Sequence, residues 1–218
     1  LTNEIIKKNP KFFTIIEKDY DLAASLKLRY LNNKNIKIYC DDILKFNIEE
    51  LCLNNSIIFG NLPYNISSQI LIKFLKFKKW PPKFNNLVFM FQKELGEKIF
   101  GKFPSKNYGR LSIISNFRLK TLKKFTVSPN CFFPKPKVVS QVLHLKPKKD
   151  PVVIKDINNL EKVTNILFSN KRKIVKKNLE KILSLKQISM IKNLRLSSRP
   201  MELKPEIYYK IAQLYEGK

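Results

Sequence analysis

The residues of this 218-residue chain best suited to chemistry are Asn61-Leu62-Pro63-Tyr64, which follow an apolar run ending at Gly60. The Asn61 amide oxygen can accept a hydrogen bond from an amino group. Pro63 favours an extended backbone at Leu62, which can turn the Leu62 carbonyl outward as a second acceptor. Tyr64 adds a flat aromatic face. Two acceptors beside an aromatic plate suit an exocyclic amino group on a planar base, such as N6 of adenine.

The charge balance indicates a nucleic-acid partner. The chain has 43 Lys and Arg against 17 Asp and Glu, a net charge of +26, and such an excess repels itself unless an anion shares the surface. An anionic membrane surface is the second candidate, but no apolar run reaches transmembrane length. A coding bias towards lysine would not explain the shortage of acidic residues.

Cysteine and histidine usage argues against a metal site. Cys40, Cys52 and Cys131 lie far apart and have no metal-ligand spacing. His144 is the single histidine, so a histidine-based triad or zinc site is nearly excluded. We expect no metal, and a reducing, cytoplasmic setting.

Apolar runs predict strands at residues 12–16, 36–39, 56–60 and 87–91, alternating with helices. This alternation favours an α/β fold with a mostly parallel sheet. Two later strands, residues 119–127 and 138–146, are expected to run antiparallel. Ser67 or Asn65 is expected to cap the helix of residues 67–77.

The character of the chain changes after Pro147. A linker between Pro147 and Pro151 is followed by purely helical periodicity from Ile157 to Glu216. The sequence therefore predicts two domains, residues 1–149 with the α/β fold and residues 150–218 with an all-helical fold.

Polar residues follow three of the predicted strands, namely Glu17, Asp41-Asp42 and Asn61. Ligands of open α/β sheets bind at the carboxyl ends of the strands. One carboxylate there can accept both hydroxyls of a ribose, and another can accept from an adenine amino group. The set suits a cofactor that contains a nucleoside.

Several motifs carry a family resemblance. Asn61-Leu62-Pro63-Tyr64 resembles the signature of adenine-N6 methyltransferases, and residues 61–67 resemble the KsgA-type ribosomal RNA adenine dimethyltransferases. Other segments resemble this family in the expected order, namely Gln92-Lys93-Glu94, Tyr108 to Ser112, Phe132 to Val138, and Phe168 with Lys171-Arg172-Lys173. One motif alone is weak evidence, but the ordered set is specific.

The resemblance implies a fold and residue roles. The expected fold is a class I, Rossmann-like methyltransferase sheet with a small all-helical C-terminal domain that binds rRNA, and the cofactor is S-adenosylmethionine. The roles fall to catalytic residues Asn61, Leu62, Pro63 and Tyr64; cofactor-binding residues Glu17, Asp42, Ile43 and Asn61; base-stacking residues Tyr64 and Phe132, with Phe133 second; and RNA-binding residues Arg110, Lys171, Arg172 and Lys173.

One part of the family pattern is missing from this sequence. The family has a glycine-rich loop after its first strand, which by the position of Glu17 would lie just before Leu1. We therefore expect an N-terminally incomplete member, lacking its first strand and glycine loop, in which cofactor binding and activity are weakened.

The activity implied by the resemblance is transfer of methyl groups to N6 of two adjacent adenines. These lie in the 3′-terminal hairpin of small-subunit rRNA, in an immature small ribosomal subunit, and the enzyme is expected to be a monomer. One alternative is methylation of large-subunit rRNA, as in the erythromycin-resistance type. The other is a non-catalytic rRNA-binding assembly factor or a relative of mitochondrial transcription factors.

Overall fold

The computed structural model describes residues 1–149 and 153–217, which fold as two units. The first unit comprises residues 1–52, and the second comprises the described residues from Leu53 onward. The first unit contains α1 (Thr2–Ile6), β1 (Phe13–Glu17), α2 (Tyr20–Arg29), β2 (Ile36–Cys40) and α3 (Ile48–Leu51). The second unit contains β3 (Ser56–Asn61), α4 (Ser67–Leu75), β4 (Phe84–Gln92), α5 (Lys93–Ile99), α6 (Arg110–Arg118), β5 (Leu119–Val127), β6 (Ser140–Pro147), α7 (Ile157–Phe168), α8 (Lys176–Glu180), α9 (Leu185–Ser189) and α10 (Pro205–Glu216).

The first unit is built on a parallel pair of strands. β1 and β2 pair from Phe13 opposite Ile36 to Glu17 opposite Cys40. The intervening helix α2 begins after Asp19, whose carboxylate accepts a hydrogen bond from the Leu22 amide at 2.9 Å, as expected of a helix cap. Because the strands are parallel, their carboxyl ends meet at the same edge of the sheet.

The second unit contains a four-stranded sheet in the order β3-β4-β6-β5. β3 and β4 run parallel, whereas β6 runs antiparallel to both of its neighbours, β4 and β5. This confirms the antiparallel pairing predicted for the two late strands. The last strand that the described residues form thus lies inside the sheet, between two strands that precede it in the sequence.

The core of the second unit forms where α4 meets the sheet. Helix α4 buries Ile70, Leu71, Phe74 and Leu75, and this i, i+4 spacing places apolar side chains along one face of the helix. The Phe74 ring lies 5.8 Å from the Phe84 ring and 5.5 Å from the Phe89 ring, centroid to centroid. These aromatic contacts fasten α4 to β4.

A buried arginine at the end of α6 binds the end of α4. Arg118 donates hydrogen bonds from Nη1 to the carbonyls of Leu75 and Phe77, which satisfies acceptors that the end of a helix leaves free. Its guanidinium also lies 4.5 Å from the centroid of the Trp80 ring. Arg118 is 5% exposed, so the charge is buried but has partners.

The C-terminal part is helical, as the periodicity predicts, and the described residues 153–217 contain no strand. Helix α7 packs against both α10 and α6, and Phe168 stacks on Tyr208 at a centroid distance of 5.7 Å. Pro147 belongs to β6. Pro151 and the expected boundary at residue 150 lie outside the described residues, so the division into domains at residues 149 and 150 stays a prediction.

Candidate functional site

One edge of the second-unit sheet gathers the motif residues. Asn61 ends β3 and pairs with Met90. Gln92, at the end of β4, pairs with Ser140 at the start of β6, and Ser140 in turn pairs with Val127 at the end of β5. The Asn61–Tyr64 motif, the junction of β4 with α5, and the segment between β5 and β6 therefore all lie at the carboxyl edge of the parallel strands.

Asn61 presents a free amide at this edge. The residue is exposed, and its side chain has no hydrogen-bond partner among the described residues. Next to it, a Cβ atom on Gly60 would lie 2.5 Å from Leu62 Cδ2 and 2.9 Å from Phe89 Cδ1. Glycine at this position therefore leaves the space in which the Leu62 side chain folds back over the strand.

Tyr64 is held at both ends. Its hydroxyl shares a hydrogen bond of 2.5 Å with Ser140 Oγ, and its carbonyl accepts one from Ser67 Oγ at 3.0 Å. Ser140 and Ser67 are both fully buried. The expectation that Ser67 or Asn65 caps α4 is wrong, because the helix begins after Ile66 without a side-chain cap. Ser67 instead fixes the backbone of the motif.

The segment between β5 and β6 places two aromatic residues near the same edge. Ser128 caps a short 3₁₀ helix, Pro129–Cys131, by accepting from the Asn130 amide at 3.3 Å. Phe132 follows it and is half-buried, whereas Phe133 is fully exposed. The stacking role of Phe132 stays a prediction.

Two carboxylates lie together at the carboxyl edge of the first-unit strands. Asp42 accepts hydrogen bonds from Lys18 Nζ and from the Leu44 amide, each at 2.9 Å. The Lys18 hydrogen bond, followed by that of the Leu44 amide, lowers the pKa of Asp42 below its ordinary value, so the side chain stays anionic. Glu17 accepts from the Asp19 amide at 2.9 Å. The half-buried Ile43 follows Asp42 directly.

The Tyr108–Ser112 motif shapes the start of α6. The Gly109 amide donates to Ser112 Oγ at 3.0 Å, and that hydroxyl donates back to the Gly109 carbonyl at 2.9 Å. Tyr108 donates its hydroxyl to the Leu203 carbonyl at 2.8 Å, which joins α6 to the C-terminal region. Arg110 is half-buried, and its Nε atom is buried without a hydrogen-bond partner in the described part of the chain. An RNA-binding role for Arg110 stays a prediction.

The predicted basic patch lies in the turn between α7 and α8. Lys171, Arg172 and Lys173 are all exposed, and the Lys173 amide closes the turn by donating to the Asn170 carbonyl at 2.9 Å. Phe168 of the same motif is buried. One end of the motif thus anchors the turn in the core, and the other presents three positive charges to solvent.

None of the helices formed by the described residues combines the length and apolarity that crossing a bilayer requires.

Two solved structures share the fold over most of the chain. A dimethyladenosine transferase from Plasmodium falciparum aligns with a TM-score of 0.71 and 24% identity, covering 92% of this chain and 80% of its own. The 23S rRNA methyltransferase ErmE aligns with a TM-score of 0.65 and 19% identity, covering 94% of this chain and 82% of its own. The fold is therefore that of the Rossmann-like methyltransferases with C-terminal helices, which confirms the predicted class.

The sequence comparisons identify the family. Residues 1–216 match the family described as ribosomal RNA adenine dimethylase. The ribosomal RNA small subunit methyltransferase A of Pelagibacter ubique (strain HTCC1062) is 41% identical over 217 residues, covering 99% of this chain and 82% of that protein. The chain belongs to the ribosomal RNA adenine dimethylase family. This confirms the resemblance and the expected enzyme class, an rRNA adenine dimethyltransferase.

Proposed function

We propose that this protein transfers methyl groups from S-adenosylmethionine to N6 of two adjacent adenines in the 3′-terminal hairpin of small-subunit rRNA. It acts as a cytoplasmic monomer on the immature small subunit, as a step in ribosome biogenesis. The observation that carries the proposal is the free, exposed Asn61 amide beside Leu62, Pro63 and a fixed Tyr64. The name of the Pelagibacter relative supports the choice of the small subunit.

Asn61 and Leu62 activate the adenine amino group. The N6 lone pair is conjugated into the ring and is a poor nucleophile. When the Asn61 Oδ1 atom and the Leu62 carbonyl accept the two hydrogens of an unmethylated N6, they favour a more pyramidal nitrogen whose lone pair can attack. After the methyl group is transferred, N6 releases one proton to solvent. In the second transfer, one of the two acceptors holds the single hydrogen that remains. No side chain of unusual pKa is needed, because positioning and electrostatics supply the rate.

Tyr64 and Phe132 hold the base. An adenine must leave its stack to reach the site, and an aromatic face offsets part of that cost. Because Ser140 holds the Tyr64 hydroxyl, the ring is orientated before the base arrives. Phe132 closes the opposite face of the base.

Glu17, Asp42 and Ile43, all in the first unit, bind the cofactor. A ribose offers hydroxyl donors and an adenine offers an amino donor, and both need acceptors. Glu17 accepts from the ribose hydroxyls. Asp42 is anionic and, although it already accepts from Lys18 and Leu44, its carboxylate has further acceptor capacity for the adenine amino group. When bound, S-adenosylmethionine supplies an electrophilic methyl group on a sulfonium.

The basic turn holds the rRNA backbone. Lys171, Arg172 and Lys173 project from an exposed turn and neutralise phosphates, while Arg110 binds or braces the RNA. Phosphate contacts position the substrate, and the Asn61 pocket selects the base. The slope of log binding affinity against log salt concentration measures how many phosphates a protein neutralises. Neutralising the three residues of the turn should make this slope shallower by up to about 2. An unchanged salt dependence would remove the turn from the interface.

Methyl incorporation into purified small subunits that lack the modification tests the proposal. The substitutions are made in a chimaera that carries the N-terminal segment of the Pelagibacter relative before Leu1, because the activity of residues 1–218 alone is expected to be weakened. Asn61→Ala should lower the methylation rate by about 10²–10³-fold or more while rRNA binding persists. The control Asn54→Ala removes an exposed amide that precedes β3, and it should be neutral. Retained turnover in Asn61→Ala would remove this residue from the mechanism.

Calorimetric titration of S-adenosylmethionine tests the cofactor assignment. It is run on residues 1–218 and on a chimaera that carries, before Leu1, the corresponding segment of the Pelagibacter relative. Binding that Asp42→Ala abolishes supports the assignment. Binding by neither protein favours a non-catalytic assembly factor.

A further inference from the structure

The register of the second-unit sheet aligns an exposed aromatic residue with the substrate site. Asn61 pairs with Met90, Met90 with Val142, and Val142 with Phe125. Residues that pair across neighbouring strands point to the same face, so Asn61 and Phe125 share one face at opposite ends of a cross-strand row. Three strand spacings of about 4.8 Å separate them by roughly 14 Å. Phe125 is 59% exposed.

A bulge adds lysines to this face. β5 and β6 change register between Thr121 and Lys123, so that Lys120 pairs with Lys146, and Lys123 pairs with His144. Successive residues of a strand alternate between faces. Without the bulge, Lys120 would therefore point away from the face of Lys123. With it, Lys120, Lys123, Lys146 and Phe125 form one exposed set, called here the β5–β6 face.

The three lysines of this face lie outside the ion pairs that the described residues form. Lysines on an edge strand also protect it from pairing with other chains. Protection of the edge does not explain the exposed Phe125, because an exposed aromatic ring favours association with other chains. A surface with three lysines and an aromatic ring suits a ligand that combines negative charge with flat apolar surfaces.

We propose that the β5–β6 face binds the single-stranded RNA that flanks the target adenine. Single-stranded nucleic acid is bound by basic grooves that follow the backbone, together with aromatic side chains that stack on bases. On this face Phe125 stacks on a base next to the target, and the three lysines contact the phosphates beyond it. The inference rests on the proposed function, because the path of the RNA strand across this face is set by a target adenine bound at Asn61.

The test compares two triple variants with the same change in charge. Lys120, Lys123 and Lys146 are replaced by Gln in one, and the exposed Lys102, Lys106 and Lys186 in the other. Binding of a labelled single-stranded RNA of about 20 nucleotides is followed by fluorescence anisotropy over a series of KCl concentrations. In the β5–β6 variant, the slope of log affinity against log salt concentration should be shallower by up to about 2. In the control variant, the slope should equal that of the wild type.

Phe125→Ser tests stacking separately from charge. It should weaken RNA binding about fivefold or more with no change in the salt slope.

Equal slopes for the wild type and the β5–β6 variant would overturn the proposal. Self-association of that variant by light scattering, with an unchanged slope, would show that the lysines protect the edge and would overturn it too. Methyl incorporation is measured in parallel with the chimaera that carries the Pelagibacter segment before Leu1, because the activity of residues 1–218 alone is expected to be weakened. Absence of methyl incorporation, with the slope effect present, would reject the proposed function and leave the RNA-binding face standing.

Discussion

The two units present similar strand-end chemistry over different amounts of buried surface. In the first unit the buried apolar side chains among the described residues are Ala23, Ile48 and Cys52, and Leu28 and Leu31 are 76% and 77% exposed. In the second unit, large side chains such as Phe74, Phe89 and Tyr208 are almost fully buried. Because burial of apolar area is the main source of stability, the two units are expected to hold their sites by different means.

The difference shows in the partners of each site residue. In the second unit, Tyr64 is held by the fully buried Ser140 and Ser67, so its geometry depends on the core. In the first unit, the Asp42 carboxylate is held by an exposed lysine and a backbone amide. The geometry of the base site should therefore change with core mutations, and that of the carboxylates with charge mutations.

Core truncation should give the largest effect. Phe74→Ala removes a ring that contacts three other aromatic rings, so it should destabilise the second unit by about 3–5 kcal/mol. Leu22→Ala, at a position 57% exposed in the first unit, should cost no more than about 0.5 kcal/mol. Residue-resolved hydrogen exchange measures the loss of stability in each variant, as a loss of amide protection in the unit that carries the substitution. Similar losses of protection would contradict the contrast between the units.

Alkaline pH should weaken the second unit through its buried tyrosines. Burial raises the pKa of Tyr108, Tyr208 and Tyr209. Their stabilising contribution is complete below the unfolded-state pKa of about 10 and is lost as pH rises above it. Tyr208→Phe should cost about 1 kcal/mol near neutral pH, because the hydrogen bond to the Pro200 carbonyl is lost, and should reduce the loss of stability above about pH 10.

Thermal melts measure the stability of the wild type and of Tyr208→Phe. They are recorded below and above the unfolded-state tyrosine pKa of about 10. The difference in stability between the two proteins should narrow at alkaline pH. A constant difference would show that the Tyr208 hydroxyl does not titrate with unfolding.

The smallest effect concerns Lys18 in the first unit. Lys18→Gln removes the main cause of the lowered pKa of Asp42 and should return that pKa towards 3.8. A lowered carboxyl pKa contributes stability that is present above its unfolded-state value and lost as pH falls through the folded-state value. Lys18→Gln should thus remove the stability that the lowered pKa of Asp42 contributes to the folded protein. NMR titration of Asp42 measures the shift, with Lys27→Gln as control, and an unmoved pKa would assign the shift to the Leu44 amide.

Local sequence patterns predicted most of the elements. The Asn61–Tyr64 motif and the strand-end carboxylates were identified because a strand followed by polar residues is a local signal. β4 begins at Phe84, before the predicted Leu87, because pairing overrides the poor strand propensity of Asn85 and Asn86. Asn85 donates to Asn55 Oδ1 at 2.7 Å, and Asn86 Oδ1 lies 2.8 Å from His144 Nε2.

The residues that support the site could not be predicted in this way. The pair of Tyr64 and Ser140 is separated by 76 positions, and nothing in the local sequence of Ser140 distinguishes it from other small residues on a strand. The bulge that brings Lys120 onto the face of Lys123 is likewise invisible, since period-two alternation predicts the opposite face. The sequence shows the type of a residue, whereas its partner depends on the strand order.

That strand order has a consequence for synthesis. β6 enters the sheet between β4 and β5 although it is made after both, so the inner edge of β4 stays open while residues 93–147 are translated. At about 5–20 residues per second this takes roughly 3–11 s, and Ser140 reaches Tyr64 only at the end of it. A nascent chain of this protein therefore exposes an unfinished sheet for seconds, and a chaperone would have its longest opportunity to bind at the open edge of β4.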